Sequence, residues 1–254
     1  MLQGKSIAVT GAAQGIGKAT ALACVREGAN VAICDINGPL ARAVAESISA
    51  SGRRAIAVEM DASNRNDVRR MISAAVQTFG SLDGLVCGGM RRIYGPAEDF
   101  TDEDWDVVVT QGLTGYFRCA QEAVKQMLLQ RRGSIIFITS IASQRAVQGG
   151  VAYCSVKSGI AGLTRQLGVE WAGRGIRTNA VAPGFTVTEG ALRTMNPEEA
   201  AKLIPLGHAA TAEEIGNACV FLLSNLASHI TGQEIVVDGG YTVGSNVDAG
   251  TARR

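Results

Sequence analysis

Histidine is almost absent from this chain, with His208 and His229 the only two in 254 residues. The six cysteines, at 24, 34, 87, 119, 154 and 219, contain no Cys-x-x-Cys pair. No dedicated His/Cys metal site is therefore expected, and cysteines inside apolar runs read as small hydrophobes. Neither sign of charge is in excess. The net charge is +1, and the basic pairs Arg53-Arg54, Arg69-Arg70 and Arg131-Arg132 are scattered among acids. That pattern suits solvated helix faces and argues against a nucleic-acid partner. No uninterrupted apolar run reaches the length of a membrane-spanning helix, so no membrane role is expected. The chain enters an apolar strand pattern directly after Lys5, without the architecture of a signal peptide, and a cytoplasmic protein is expected. No Pro/Ser linker, internal repeat or low-complexity tract divides it, and residues 1–254 read as one domain.

Hydrophobic residues make up 46 %, charged residues 19 %, and glycine is frequent at 31, a composition for a packed protein with many tight turns. Short β-branched runs alternate with longer amphipathic stretches. Strands are expected at Ser6–Thr10, Asn30–Cys34, Ala55–Glu59, Gly84–Cys87, Ser134–Ile138, Arg177–Ala182 and Glu234–Val237. Helices are expected at Ile16–Glu27, Pro39–Ala50, Asn66–Phe79, Glu103–Leu129, Val151–Ala172 and Ala212–Leu223. Strict alternation implies right-handed crossovers and a doubly wound, parallel α/β sheet of about seven strands. Ligands of such sheets bind outside the carboxyl ends of the strands, which singles out the loops that follow them.

The first such loop reads Thr10-Gly-Ala-Ala-Gln-Gly-Ile-Gly17. Gly11 permits a tight turn, Gly15 lets the backbone approach a pyrophosphate, and Gly17 allows close helix–strand packing. The helix N-terminus beyond Gln14 and Ile16 offers free N–H groups to phosphates. Eighteen residues past Gly17, Asp35 ends the second strand, followed by Ile36 and no base. A carboxylate there accepts hydrogen bonds from adenosine ribose hydroxyls and repels a 2′-phosphate, which favours NAD. Asp61, with Ala62 after it, ends the third strand within reach of an adenine amino group. As plain structure, the loop is a strand-to-helix turn and Asp35 a turn-forming residue.

Tyr153 and Lys157 are four apart in an expected helix and so share a face. A fixed positive charge lowers a phenol's pKa from its usual value near 10, which suits proton exchange with a substrate hydroxyl. Alone, the pair also fits a solvated helix face.

Together, Gly-x-x-x-Gly-x-Gly, Asp61 and the later Tyr-x-x-x-Lys resemble the short-chain dehydrogenase/reductase family. Ser140, thirteen residues before Tyr153, stands at that family's spacing for its catalytic serine. Asn179-Ala-Val-Ala-Pro-Gly-Phe185 resembles the segment beside the nicotinamide, and Ile230-Thr-Gly-Gln233 with Val237-Asp-Gly-Gly240 the closing strand. The resemblance runs from about Gly4 to Tyr241 and implies a Rossmann-type fold. It implies Ser140, Tyr153 and Lys157 as catalytic residues, with Tyr153 as general acid/base and Lys157 tuning it while holding the nicotinamide ribose. Cys87, Gly88, Gly89, Pro183, Gly184, Thr186 and Thr188 would complete the cofactor site. The implied reaction transfers a hydride between NAD(H) and a secondary alcohol or ketone.

Two segments depart from the family pattern. Leu85-Val-Cys-Gly-Gly-Met90 replaces Leu-Val-Asn-Asn-Ala-Gly, and Gly112 stands where a fourth catalytic residue, Asn, is usual. Gly112 keeps the backbone carbonyl that helps hold a water on the lysine and loses the side chain. Two other readings therefore stand beside the enzyme: a catalytically retired NAD-binding sensor or subunit, and a 3-oxoacyl-carrier reductase. The latter typically uses a phosphorylated cofactor, which Asp35 opposes. Arg91, Arg92 and Arg145 lie just past strand ends, and a covering loop is expected at about residues 186–208. These cations point to a polar small-molecule substrate, sugar-like, polyol or anionic, with Arg145 the first choice as anchor because it lies closest in sequence to Ser140. The family's usual assembly implies a homotetramer packed through the helices at Glu103–Leu129 and Val151–Ala172.

Overall fold

The protein is described by a computed structural model covering residues 1–193 and 195–244. In chain order the elements are β1 (Ser6–Thr10), α1 (Gly15–Arg26), β2 (Asn30–Asp35), α2 (Gly38–Ala50), β3 (Ala55–Glu59), α3 (Arg65–Phe79) and β4 (Gly84–Cys87). There follow α4 (Asp102–Val109), α5 (Gly115–Gln130), β5 (Gly133–Ile138), α6 (Val151–Ala172), β6 (Ile176–Pro183) and β7 (Thr186–Val187). The chain continues through α7 (Pro197–Leu203), β8 (Ala210–Thr211), α8 (Ala212–Leu223) and β9 (Glu234–Val237). Every expected strand and helix is present, with ends within a residue or so of the sequence reading.

Seven parallel strands form one sheet in the order β3-β2-β1-β4-β5-β6-β9. The central strands are apolar on both faces because helices cover both. On one side Val68, Ala123 and Ile160 of α3, α5 and α6 pack against Leu85 and Ile135. On the other, Ala21, Val44 and Val220 of α1, α2 and α8 pack against Val9 and Ile136. The order reverses between β1 and β4, and the crevice at that switch point is where this topology receives a ligand.

Local chemistry starts the helices. Asn37 caps α2 with Pro39 in its first turn, and Thr211 with Glu214 forms a reciprocal capping box on α8. The expected helix at Glu103–Leu129 differs from a regular α-helix in one turn. Between α4 and α5 lies a π-helical turn, Thr110–Thr114, in which the Gly115 N–H donates five residues back to Thr110. The short strand β7 and the helix α7 arise inside the expected covering loop, and β7 pairs with β8 just past its end. Asn196, whose side chain accepts from the Glu198 N–H, and Pro197 in the first turn are the sequence signals for α7.

Candidate active site

A cleft of about 1000 Å³ runs across the carboxyl ends of the central strands. At one end lies the turn from β1 to α1. Gly11 and Gly15 hold φ of +64° and +56°, conformations that side chains resist. A Cβ on Gly11 would come within 2.7 Å of the Gly89 Cα, so the loops after β1 and β4 touch backbone to backbone. Thr10 braces this contact, donating from Oγ1 to the Gly88 carbonyl at 2.9 Å and accepting from the Gly88 N–H at 3.1 Å. Thr10 of β1 thus ties the loop after β4 to the glycine turn. No side chain caps the N-terminus of α1, which opens into the cleft at Gln14, Gly15, Ile16 and Gly17.

Asp35 lies beside this loop. Its Oδ2 accepts from the Ala13 N–H at 3.0 Å and its Oδ1 from the Asn37 N–H at 2.9 Å, so two backbone donors fix the carboxylate at the cleft wall. Ile36 beside it is 66 % exposed, and Asp61 and Ala62 extend the same wall. Asp61 Oδ1 closes its own turn by accepting from the Ser63 N–H at 2.7 Å. An uncapped helix start, a side-chain-free turn and a fixed carboxylate fit the phosphates and ribose of a dinucleotide.

At the other end β5 delivers Ser140 and α6 delivers Tyr153 and Lys157 into the same cleft. Ser140 starts a tight turn, its Oγ accepting from the Ala142 N–H at 3.1 Å. Lys157 is 4 % exposed and donates from Nζ to the Ile138 carbonyl at 2.7 Å. Burial, then the positive charge of Arg92, brings its pKa down to about 7, with the Glu234 carboxylate opposing. Burial pushes the Tyr153 phenol above its usual value, while the Ser140 hydroxyl and Arg92 pull it back. The expectation that Lys157 lowers the phenol's pKa is therefore corrected. The buried Lys157 amine is directed at the Ile138 carbonyl, and the phenol's shift is set by burial, the Ser140 hydroxyl and Arg92 instead.

Of the expected residues, all but one line the cleft, including Gly88, Gly89, Pro183, Gly184, Thr186 and Thr188. Cys87 is the exception. Its side chain is buried in the core on the α5 face of the sheet, where burial and the Cys119 thiol push its pKa far up.

Arg91, Arg92 and Arg145 all reach the cleft, with different commitments. The Arg145 guanidinium lies over the Tyr241 ring at 4.9 Å and donates to the Tyr241 carbonyl at 3.4 Å. Arg91 is held through its backbone N–H by the Gln111 side chain at 3.1 Å. Arg92 forms no ion pair among the described residues, and its charge acts on Tyr94, Tyr153 and Lys157 alike. Sequence reasoning passed over Tyr94, whose ring lies 5.8 Å from that of Tyr153, and Tyr241, which packs edge-on against Phe185 at 5.1 Å. Their one signal was position, just beyond strand ends. Among the described residues no group of three His, Cys, Asp or Glu side chains is placed to hold a metal ion.

Comparison with known proteins extends this geometry. A family model described as enoyl-(acyl carrier protein) reductase matches residues 11–242. The 2-(S)-hydroxypropyl-CoM dehydrogenase 3 of Xanthobacter autotrophicus is 36 % identical, covering 95 % of this chain and 98 % of its own length. The 3-oxoacyl-[acyl-carrier-protein] reductase FabG of Staphylococcus aureus is 39 % identical (93 % and 97 % covered), and the D-threitol dehydrogenase of Mycolicibacterium smegmatis 38 % (95 % and 94 %). Among solved structures, gox2181 superposes with a TM-score of 0.91 at 33 % identity, covering 96 % of this chain and 97 % of that one. A chain described as ribose-5-phosphate isomerase from Brucella melitensis 16M superposes at 0.87 with 34 % identity, covering 95 % and 93 %. Fold, cleft and relatives define an oxidoreductase that works on alcohols or ketones with a nicotinamide cofactor. The chain belongs to the short-chain dehydrogenase/reductase family.

Proposed function

We propose that the protein interconverts a polar secondary alcohol and its ketone using NAD(H). One observation carries this reading. The cleft's arginines, Arg91, Arg92 and Arg145, stand on segments after β4 and β5, while the nucleotide end presents Asp35 and Asp61. A 2′-phosphate would meet a carboxylate there, whereas ribose hydroxyls find an acceptor.

The glycine turn, the start of α1 and Asp35 would hold the adenosine half of the cofactor, and Lys157 the ribose of the other half. When bound, the nicotinamide supplies or accepts the hydride. Ser140 holds the substrate oxygen by a hydrogen bond. In reduction the Tyr153 O–H gives its proton to that oxygen, and in oxidation the phenolate takes it back. The upward shift keeps the phenol in its protonated form at neutral pH, the form that reduction requires, and makes oxidation depend on its ionisation as pH rises. The likeness to FabG favours a second reading, reduction of a carrier-linked 3-oxoacyl group, and Asp35 weighs against it wherever that activity needs NADPH.

We also propose a cytoplasmic homotetramer. Phe117, Leu129 and Val169, apolar and exposed on α5 and α6, support association through those helices, and sedimentation velocity measures it directly. NADH formation, followed by its ultraviolet absorbance across polyols, sugars, hydroxy acids and neutral cyclic alcohols, tests the activity. Turnover of a polar alcohol that Tyr153→Phe abolishes is the expected result. Tight NADH binding with no oxidation of any of these would favour the retired member instead.

A further inference from the structure

The turn that carries Ser140 is tied to a strand it does not neighbour. β9 pairs with β6, and β6 with β5, so β9 lies about 10 Å from β5 at the usual strand spacing. Glu234, the first residue of β9, stands in register with Ala180 of β6, and Ala180 with Phe137 of β5. Its carboxylate nevertheless reaches the turn after β5. Ser143 Oγ lies 2.9 and 3.0 Å from the two Glu234 oxygens, and Gln144 Nε2 donates to Glu234 Oε2 at 3.0 Å.

Ser143 Oγ is also 2.7 Å from the Ser140 carbonyl, but a hydroxyl has one proton. That carbonyl already accepts the Ser143 N–H at 2.9 Å, and a carboxylate is the stronger acceptor, so the proton goes to Glu234. On its far side the turn is held by Ser158 of α6, whose Oγ donates to the Ser143 carbonyl at 3.0 Å. Two elements, β9 and α6, thus converge on a five-residue segment whose first member is Ser140.

We infer that Glu234 is a positioning residue for catalysis: through Ser143 and Gln144 it fixes the turn that aims the Ser140 hydroxyl at the substrate oxygen. Glu234 does not itself line the cleft. The inference rests on the proposed role of Ser140 and extends the catalytic apparatus to the edge strand of the sheet. A serine that must meet a reacting oxygen loses rate steeply when displaced, because alignment of the reacting groups supplies much of the acceleration. A second consequence points the same way: Glu234 is the acid that supports the Lys157 charge against burial and Arg92.

The experiment compares Glu234→Ala, Glu234→Gln, Ser143→Ala and the double variant Glu234→Ala/Ser143→Ala, with Tyr153→Phe as the inactive control. For an alcohol that wild type oxidises, Glu234→Ala should lower kcat by about 10- to 100-fold while KM for NAD⁺ moves less than about twofold. Glu234→Gln keeps an acceptor for Ser143 and should recover most of kcat. The double variant should be no slower than the worse single one, since both changes break one link. Melting temperatures of all four should stay close together. An unchanged kcat in Glu234→Ala beside an inactive Tyr153→Phe overturns the positioning role alone. Additive losses, or a kcat loss that only follows falling melting temperature, overturn it too. A wild-type protein that oxidises no alcohol overturns both this inference and the reading beneath it.

Discussion

Lys157 illustrates how a residue placed for chemistry burdens the fold. Its pKa falls from 10.5 to about 7 on burial, so between those values the unfolded chain holds a proton that the folded chain does not. The penalty is absent above about pH 10.5, grows as pH falls, and levels off below about 7. Unfolding by urea at a series of pH values should show wild type gaining on Lys157→Met, by a few kcal/mol, as pH rises through that window. A pH-independent gap between the two proteins would rule out the depressed lysine. Arg92 is the complementary case, a charge with no ion-pair partner among the described residues, facing the catalytic groups. If it receives an anionic substrate group, Arg92→Ala should raise KM for that substrate about 10- to 100-fold, the worth of a charge-assisted hydrogen bond. KM for a small neutral alcohol should hardly respond. Equal effects on both substrates would show that the arginine tunes Tyr153 without touching substrate. Arg145, which the sequence placed first because it follows Ser140, is engaged by Tyr241, a contact from a distant strand end that sequence order does not reveal.

Among the elements, the α4–α5 rod is where a local irregularity and a site meet. Gly112 lies in its π turn, and a Cβ there would stand 2.5 Å from Val156 Cγ1 and 3.0 Å from Met90 Cε. Met90 occupies the position of the family's last loop glycine, so loop and helix have exchanged bulk for space. Gly112→Asn should therefore lower stability by about 1–3 kcal/mol through overpacking, and Gly112→Ala should show most of that loss despite alanine's better helix propensity. Thermal unfolding of both decides it; an Asn variant as stable as wild type and faster in turnover would mean that the missing amide limits the reaction. The exchange also shows what sequence could reveal. Strand and helix positions were legible because buried parallel strands read as unbroken apolar runs and the covering helices keep their period. The π turn was not, since a single inserted residue displaces the apolar positions by one step, too small an offset to mark off within a long helical stretch. Nor were β7 and β8, too short to carry a period. The glycine turn, Asp35 and the Ser-Tyr-Lys set were legible because their chemistry dictates residue type at fixed spacing. Cys87 failed that logic: strand alternation turned its thiol into the core.

For the molecule as a whole, ligand binding and folding are linked. A cofactor that binds only the native state at a hundred times its Kd adds about 2.7 kcal/mol of stability. With Asp35 facing any 2′-phosphate, NAD⁺ should bind at least roughly tenfold more tightly than NADP⁺, a difference of about 1.4 kcal/mol. Thermal shift at equal concentrations should rank NAD⁺ above NADP⁺, and Asp35→Ala with Ile36→Arg should narrow or reverse the order. An equal or larger shift with NADP⁺ in wild type would overturn the assignment. The contact of Gly11 with Gly89 has a consequence of another kind. Each position already carries the smallest residue, so neither can shrink to make room for a change in the other. In a library of random variants Gly11 should therefore be a dead end for sequence drift, since a Cβ there meets only backbone that no second mutation can trim, whereas position 89 should accept the family's alanine only together with a change in the loop around it.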